Sequence, residues 1–154
     1  MNEIINKLIK ENKTISTMES CTGGYIANEI TNQEGSSLVF KFGAVTYSNE
    51  HKIKMGVSPF AIEKYSVYST QVAKEMSKKI SDYTNSTYGI GVTGKLDRNN
   101  KFNMVDDDSN IYISIYNKEN DEYNIEILSA LDISRKENKK LILKKIIEML
   151  KSIV

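Results

Sequence analysis

At 154 residues, 40% apolar and 27% charged, the chain has the make-up of one globular domain, long enough to bury about two thirds of the surface its unfolded form exposes. Its 21 basic and 20 acidic residues leave a net charge of +1, which removes any general pull toward nucleic acid or a membrane surface. Cys21 is the only cysteine, so there is no internal disulfide, and no apolar run suits a signal peptide or a membrane span; the expectation is a single cytoplasmic domain over residues 1–154.

Ile4, Ile5, Leu8 and Ile9 recur at helical spacing and predict an amphipathic helix over 2–12. β-Branched residues at 14–18 predict a strand and 25–30 a helix, so strand, tight turn and helix start meet at Glu19-Ser20-Cys21-Thr22-Gly23-Gly24. The two glycines permit backbone angles that other residues avoid. The first free N–H groups of the helix then point beside Ser20, a setting for a phosphate or for the oxyanion of an acyl transfer. The plainer alternative is a serine turn that only caps a helix.

A loop is expected at 33–37, a strand at 38–47 and a polar connection at 49–56. Ser58-Pro59 opens a short helix, with Pro59 where its missing N–H costs nothing. Ser69 caps a longer helix whose Val72, Met76, Ile80 and Tyr83 form one stripe. Residues 87–92 predict a third strand and 95–109 a long acidic loop. Segments 111–116 and 123–128 face each other across 117–121 as a hairpin. Ser134-Arg135-Lys136-Glu137 is a capping box that starts a last helix with Leu141, Ile142, Ile146, Leu150 and Ile153 inward. Alternating helices and strands followed by a hairpin give an α/β domain: a mixed, mostly parallel sheet of about five strands with helices on both faces.

Gly89-Ile90-Gly91-Val92-Thr93-Gly94 matches the dinucleotide-binding fingerprint in letters, but its first two glycines fall inside a strand and no helix pattern follows. There is no phosphate-cradling P-loop or paired-cysteine metal site, and Asp106-Asp107-Asp108 reads as a solvated loop, so no metal or cofactor is expected. If Ser20 or Cys21 is a nucleophile, its proton needs a base. His51 is the only histidine, and the alternative is a lysine whose pKa burial lowers, with Lys52 next to it in sequence. Tyr47, at the end of an apolar strand, is by default a core or rim aromatic.

Glu19-Ser20-Cys21-Thr22-Gly23-Gly24, Gly35-Ser36-Ser37, Val45-Thr46-Tyr47-Ser48-Asn49-Glu50 with Lys52 beyond, and Gly91-Val92-Thr93-Gly94 together resemble the C-terminal domain of the competence/damage-inducible protein CinA. Free-standing members of that family are nicotinamide-nucleotide amidohydrolases. The resemblance implies a three-layer α/β/α sandwich that hydrolyses the carboxamide of nicotinamide mononucleotide to the nicotinate form and ammonia, as a serine/lysine hydrolase without a cofactor. It implies Ser20 as nucleophile, Lys52 as base and Tyr47 as its partner in proton transfer. The implied substrate contacts are Cys21, Thr22, Gly23 and Gly24 at the turn, with N–H groups from Thr22 to Gly24 as the oxyanion hole. Ser36, Ser37, Thr46, Thr93, Gly94 and Arg135 complete the set. The partner is then a small nucleotide, with no nucleic acid or membrane, and family habit adds a homodimer.

The chain departs from the family after Gly94. Lys95-Leu96-Asp97-Arg98-Asn99-Asn100 stands in place of a Gly/Pro-rich segment, Asp106-Asp107-Asp108 stands near the place of a Lys-Pro-Val-Gly stretch, and Leu131-Asp132-Ile133 replaces Gly-Asp-Arg, with Arg135 the nearest basic residue. Two other readings follow from the residues: a non-catalytic nucleotide-binding module that keeps the pocket, and a thiol hydrolase using Cys21 and His51.

Overall fold

Strand β1 (Ile15–Glu19) is buried at every position, and such a strand must have neighbours on both edges and layers on both faces. β2 (Phe40–Val45) pairs with it in parallel on one edge and β3 (Tyr88–Gly94) in parallel on the other. β4 (Asn110–Asn117) and β5 (Glu122–Ser129) continue the sheet antiparallel, in the order β2-β1-β3-β4-β5. This computed structural model describes residues 1–97 and 109–154. Asp106-Asp107-Asp108 and most of the expected 95–109 loop lie outside the described residues.

The two faces of the sheet are covered by different helices. On one face Ile15, Ile90, Val92, Ile113 and Ile115 meet α1 (Asn2–Lys10), α2 (Tyr25–Thr31) and α7 (Arg135–Ile153) in the main core. On the other, Met18 packs with Val72, Met76 and Ile80 of α6 (Thr70–Thr84) and with Ala61 of α5 (Pro59–Tyr65). The result is a three-layer α/β/α sandwich around a mixed five-stranded sheet.

Caps set the helix starts as their residue types require: Ser58, Ser69 and Ser134 each accept the N–H of the third residue beyond. Three local expectations are corrected. Residues 36–39 form a short helix, α3 (Ser36–Val39), rather than loop and strand, because Gly35 enters a left-handed turn that starts it. The segment after Ser48 is not an open connection but helix α4 (Asn49–Lys54), with the Ser48 side chain as its cap. Tyr83 and Leu141 face outward, 68% and 37% exposed, and the inward places go to Ala73, Ser77 and Met149.

The glycines of the fingerprint-like run have a packing role. A Cβ on Gly89 would stand 2.0 Å from the Ser77 carbonyl oxygen, and one on Gly91 2.4 Å from that of Ala73. Their absence lets α6 press against β3, where Ser77 meets Ser114 at 2.9 Å. Gly91→Ala must separate α6 from the sheet, and urea unfolding is expected to show a loss of about 1–3 kcal/mol; an unchanged midpoint would refute the close-packing role.

Candidate active site

The parallel strands β1, β2 and β3 end together, and the chain steps from β1 to β2 on one side and then to β3 on the other. The crevice beyond the carboxyl ends of strands at such a reversal is where open α/β sheets hold ligands. Ser20 and Thr46 stand there, the first residues past β1 and β2. The Ser20 N–H donates to the Val92 carbonyl at 3.0 Å, and the Thr46 N–H to the Glu19 carbonyl at 2.8 Å, so both loops leave the sheet from fixed points.

The turn after Ser20 is held by Glu19, a residue with no assigned part in the sequence reading. Its carboxylate is fully buried and accepts from the N–H groups of Gly24 (3.0 Å), Ile26 (3.1 Å) and Ala27 (2.8 Å). It thereby caps α2, whose N-cap position is Gly24 and supplies no side chain. Gly23 and Gly24 have φ of 62° and 90°, values that a side chain would strain. The signal was present: a helix start lacking Ser, Thr, Asp or Asn at its cap, with a carboxylate just upstream.

This corrects the expected oxyanion donors. The Gly24 N–H is taken by Glu19 and the Gly23 N–H by the Ser20 carbonyl at 3.0 Å. Among the described residues, no acceptor takes the N–H of Cys21 or Thr22.

Lys52 is the sole buried residue of α4, an inversion of the pattern expected for a short surface helix. Its side chain is 1% exposed, and Nζ donates to Ser20 Oγ at 3.0 Å and to the Thr46 carbonyl at 2.8 Å. No carboxylate among the described residues pairs with it. Burial pushes its pKa below the usual lysine value, with an opposing influence from the Cys21 thiol. A lysine so placed is a neutral-base candidate, and Ser20 is the hydroxyl in its reach.

The other expected residues divide. Tyr47 is 65% exposed, and its hydroxyl accepts from Arg135 Nη2 at 3.3 Å; it is not among the hydrogen-bond partners of Ser20 or Lys52. Arg135 is also ion-paired to Asp97. Thr93 is fully buried and donates to the Val67 carbonyl at 2.9 Å, so its hydroxyl is engaged within the fold rather than free for a phosphate. Ser36 and Ser37 lie on α3, which leads into the start of β2, whereas Ser20 follows the end of the parallel strand β1. The sheet's length separates them from the site, so they are not phosphate ligands of it within one chain.

Cys21 is buried beside the main core, and burial pushes its thiol up to about 12. His51 is exposed, with Nδ1 2.8 Å from Ser48 Oγ at the start of α4. The two do not form a thiol-imidazole pair. Among the described residues the buried side-chain hydroxyls without a partner are those of Thr17, in the middle of β1, and of Thr22 and Thr46, in the loops that follow β1 and β2. An unmet buried hydroxyl costs about 1–3 kcal/mol. Among the described residues no three His, Cys, Asp or Glu side chains are grouped to hold a metal, and no helix is long and apolar enough to cross a membrane.

Comparison with known proteins places the fold. The sequence profile of the CinA C-terminal domain matches residues 1–154. A relative from Alkaliphilus oremlandii (strain OhILAs), named as a competence-damage inducible protein, is 47% identical over 96 residues, 61% of this chain and 23% of the relative. One of the same name from Clostridium botulinum (strain Langeland) is 47% identical over 92 residues, 59% of this chain and 22% of the relative. The matched stretch thus spans less than a quarter of the length of these curated relatives. The crystal structure of competence/damage inducible protein CihA from Agrobacterium tumefaciens has a TM-score of 0.86 at 26% identity, covering 98% of this chain and 93% of that one. A CinA superfamily protein from Escherichia coli, at 21% identity, has a TM-score of 0.88 over 99% of this chain and 87% of its own, and shows the shared fold.

Glu19→Gln keeps the shape of the buried side chain but puts an amide donor against three N–H groups. Chemical denaturation is expected to show a loss of about 1–3 kcal/mol, and an equally stable variant would mean that Glu19 does not hold the turn.

Proposed function

The chain belongs to the CinA C-terminal domain family, and from that membership we propose that it is an amide hydrolase of the serine/lysine type, with the carboxamide of nicotinamide mononucleotide as its substrate. The observation that carries this reading is the buried contact of 3.0 Å between Lys52 Nζ and Ser20 Oγ.

With Lys52 neutral, the same contact lets the Ser20 hydroxyl give its proton to Nζ as Oγ attacks the amide carbon. The carbonyl oxygen becomes an oxyanion beside the open N–H groups of Cys21 and Thr22. The lysine then hands its proton to the leaving nitrogen, ammonia departs, and an ester joins Ser20 to the acyl group. Water, deprotonated by the same amine, attacks that ester to release the carboxylate and restore Ser20. The Thr46 carbonyl, accepting from Nζ at 2.8 Å, keeps the amine aimed while it changes charge. Tyr47 stands at the rim with Arg135, a place that suits contact with the bound substrate better than direct proton exchange with Lys52. A module that only binds the nucleotide is separated from this reading by ammonia release.

Removing either member of the dyad is expected to lower ammonia release from nicotinamide mononucleotide by roughly 10³-fold or more, in Ser20→Ala and in Lys52→Met alike. Turnover that survives both substitutions sinks the dyad. Absence of turnover in the folded wild type removes the substrate. Lys52→Met should leave the protein as stable as the wild type or up to about 2 kcal/mol more stable at neutral pH, because an unpaired buried amine is exchanged for an apolar side chain.

The pH dependence has a definite sign. The lysine must be unprotonated to act, so kcat/KM falls as pH drops through its depressed pKa, a limb lying below the ordinary value of about 10.4. Between those two values the unfolded chain holds a proton that the folded chain has lost, so stability rises with pH across that window. The stability gained by Lys52→Met should therefore shrink as pH approaches the unfolded value. A gain that grows with pH in guanidinium titrations contradicts the buried-lysine account.

A further inference from the structure

We propose that Lys139, with Arg135 one turn earlier on α7, forms the subsite for a phosphate monoester on the substrate, and that this pair selects phosphorylated over unphosphorylated amides. The proposal rests on the amide-hydrolase reading of the same site.

Residues i and i+4 share a helix face, so Arg135 and Lys139 look the same way from the first turns of α7. That way is toward the serine turn. The Lys139 ammonium reaches over Gly23, 3.5 Å from where a Cβ there would stand, and the Arg135 guanidinium donates to the Tyr47 hydroxyl across the mouth. Both positive charges act on Cys21, the residue next to Ser20.

On α7, Lys140 pairs with Glu137, Lys145 with Glu148 and Lys151 with Glu3. Lys136, Lys139 and Lys144 have no carboxylate partner among the described residues, and of these three Lys139 is the one that is half-buried while the other two are exposed. An ammonium that loses water without gaining an anion is costly, and a bound phosphate would complete it. Placing Arg135, Lys136 and Lys139 in the first turns of a helix also sets cations against its dipole, the opposite of what helix stability favours. Arg135 is held at the rim by Asp97, which takes Nη1, and by the Tyr47 hydroxyl, which accepts from Nη2, so it adds its charge beside Lys139.

Of the other donors expected for a phosphate, the Thr93 hydroxyl serves Val67, while the Thr46 hydroxyl is buried and without a partner; the open N–H groups of Cys21 and Thr22 are assigned to the oxyanion in the proposed reaction. A dianionic phosphate with three acceptor oxygens suits an arginine fork and an ammonium arriving from one side.

The test compares nicotinamide mononucleotide with nicotinamide riboside, which lacks only the phosphate, and measures ribose 5-phosphate and ribose binding by calorimetry. Wild type, Lys139→Met, Lys139→Arg and the exposed neighbour Lys140→Met are used. The expected result is a rise of roughly 10-fold or more in KM for the mononucleotide in Lys139→Met with kcat nearly unchanged, partial recovery in Lys139→Arg, and no change for the riboside or in Lys140→Met. Ribose 5-phosphate should bind wild type and lose affinity in Lys139→Met, while ribose binds neither measurably. If both amides are hydrolysed with the same KM in wild type and Lys139→Met, the subsite is refuted and the hydrolase stands. If no amide is hydrolysed yet ribose 5-phosphate binding depends on Lys139, the subsite stands and the reaction falls. Ribose 5-phosphate binding that ignores Lys139 overturns the proposal in either case.

Discussion

A lysine that ends inside the protein with no carboxylate beside it among the described residues is the constraint on which the rest depends. Lys52 is 1% exposed, and its amine donates to a serine hydroxyl and a peptide carbonyl. Such an environment cannot pay for a full charge, so it favours the neutral amine. The surrounding architecture holds it there: Ser48 caps α4, the Val57 N–H returns to the Lys52 carbonyl at 3.0 Å, and β2 delivers the loop from which Thr46 turns its carbonyl inward. A helix of six residues with one buried side chain, and that one a lysine, is poorly explained by packing alone.

On the other side of the contact, the serine is presented by a turn held by hydrogen bonds at several points. Glu19 answers three N–H groups at the start of α2, the glycines take the left-handed angles, and hydrogen bonds to Val92 and from Thr46 tie the turn to both neighbouring strands. Using up the amides of Gly24, Ile26 and Ala27 within the fold has a chemical result. The N–H groups left open belong to Cys21 and Thr22, immediately after Ser20. The carboxylate that caps the helix therefore also decides which N–H groups of the turn stay open.

The two layers of helices divide the labour. The α4 and α6 side brings Lys52 and closes on β3 at Gly89 and Gly91, while α7 on the other side brings Arg135 and Lys139 toward the serine turn. Because strands β1 to β3 end together, side chains from opposite layers meet over one crevice without long loops. Arg135 reaching Tyr47 is the visible link between the layers at the rim.

By itself, the sequence determined the order of the five strands and of the helices other than α3 and α4, the α/β class with helices on both faces, and the turn at Ser20, because these follow from local periodicity, caps and glycine placement. The recurring motif residues also singled out Lys52 before any contact was known. Tertiary structure alone decided that Lys52 meets Ser20, since 32 residues separate them and only the parallel pairing of β1 and β2 brings their loops together. It also removed Ser36, Ser37 and Thr93 as free ligands, for polarity in a sequence does not say at which end of a strand a residue stands or whether a carbonyl already takes its hydroxyl. The helix at Asn49–Lys54 was hidden for the same reason: five polar residues and a lone, exposed Ile53 carry no apolar stripe, because the single side chain it buries is the charged-type residue whose burial only the assembled site explains.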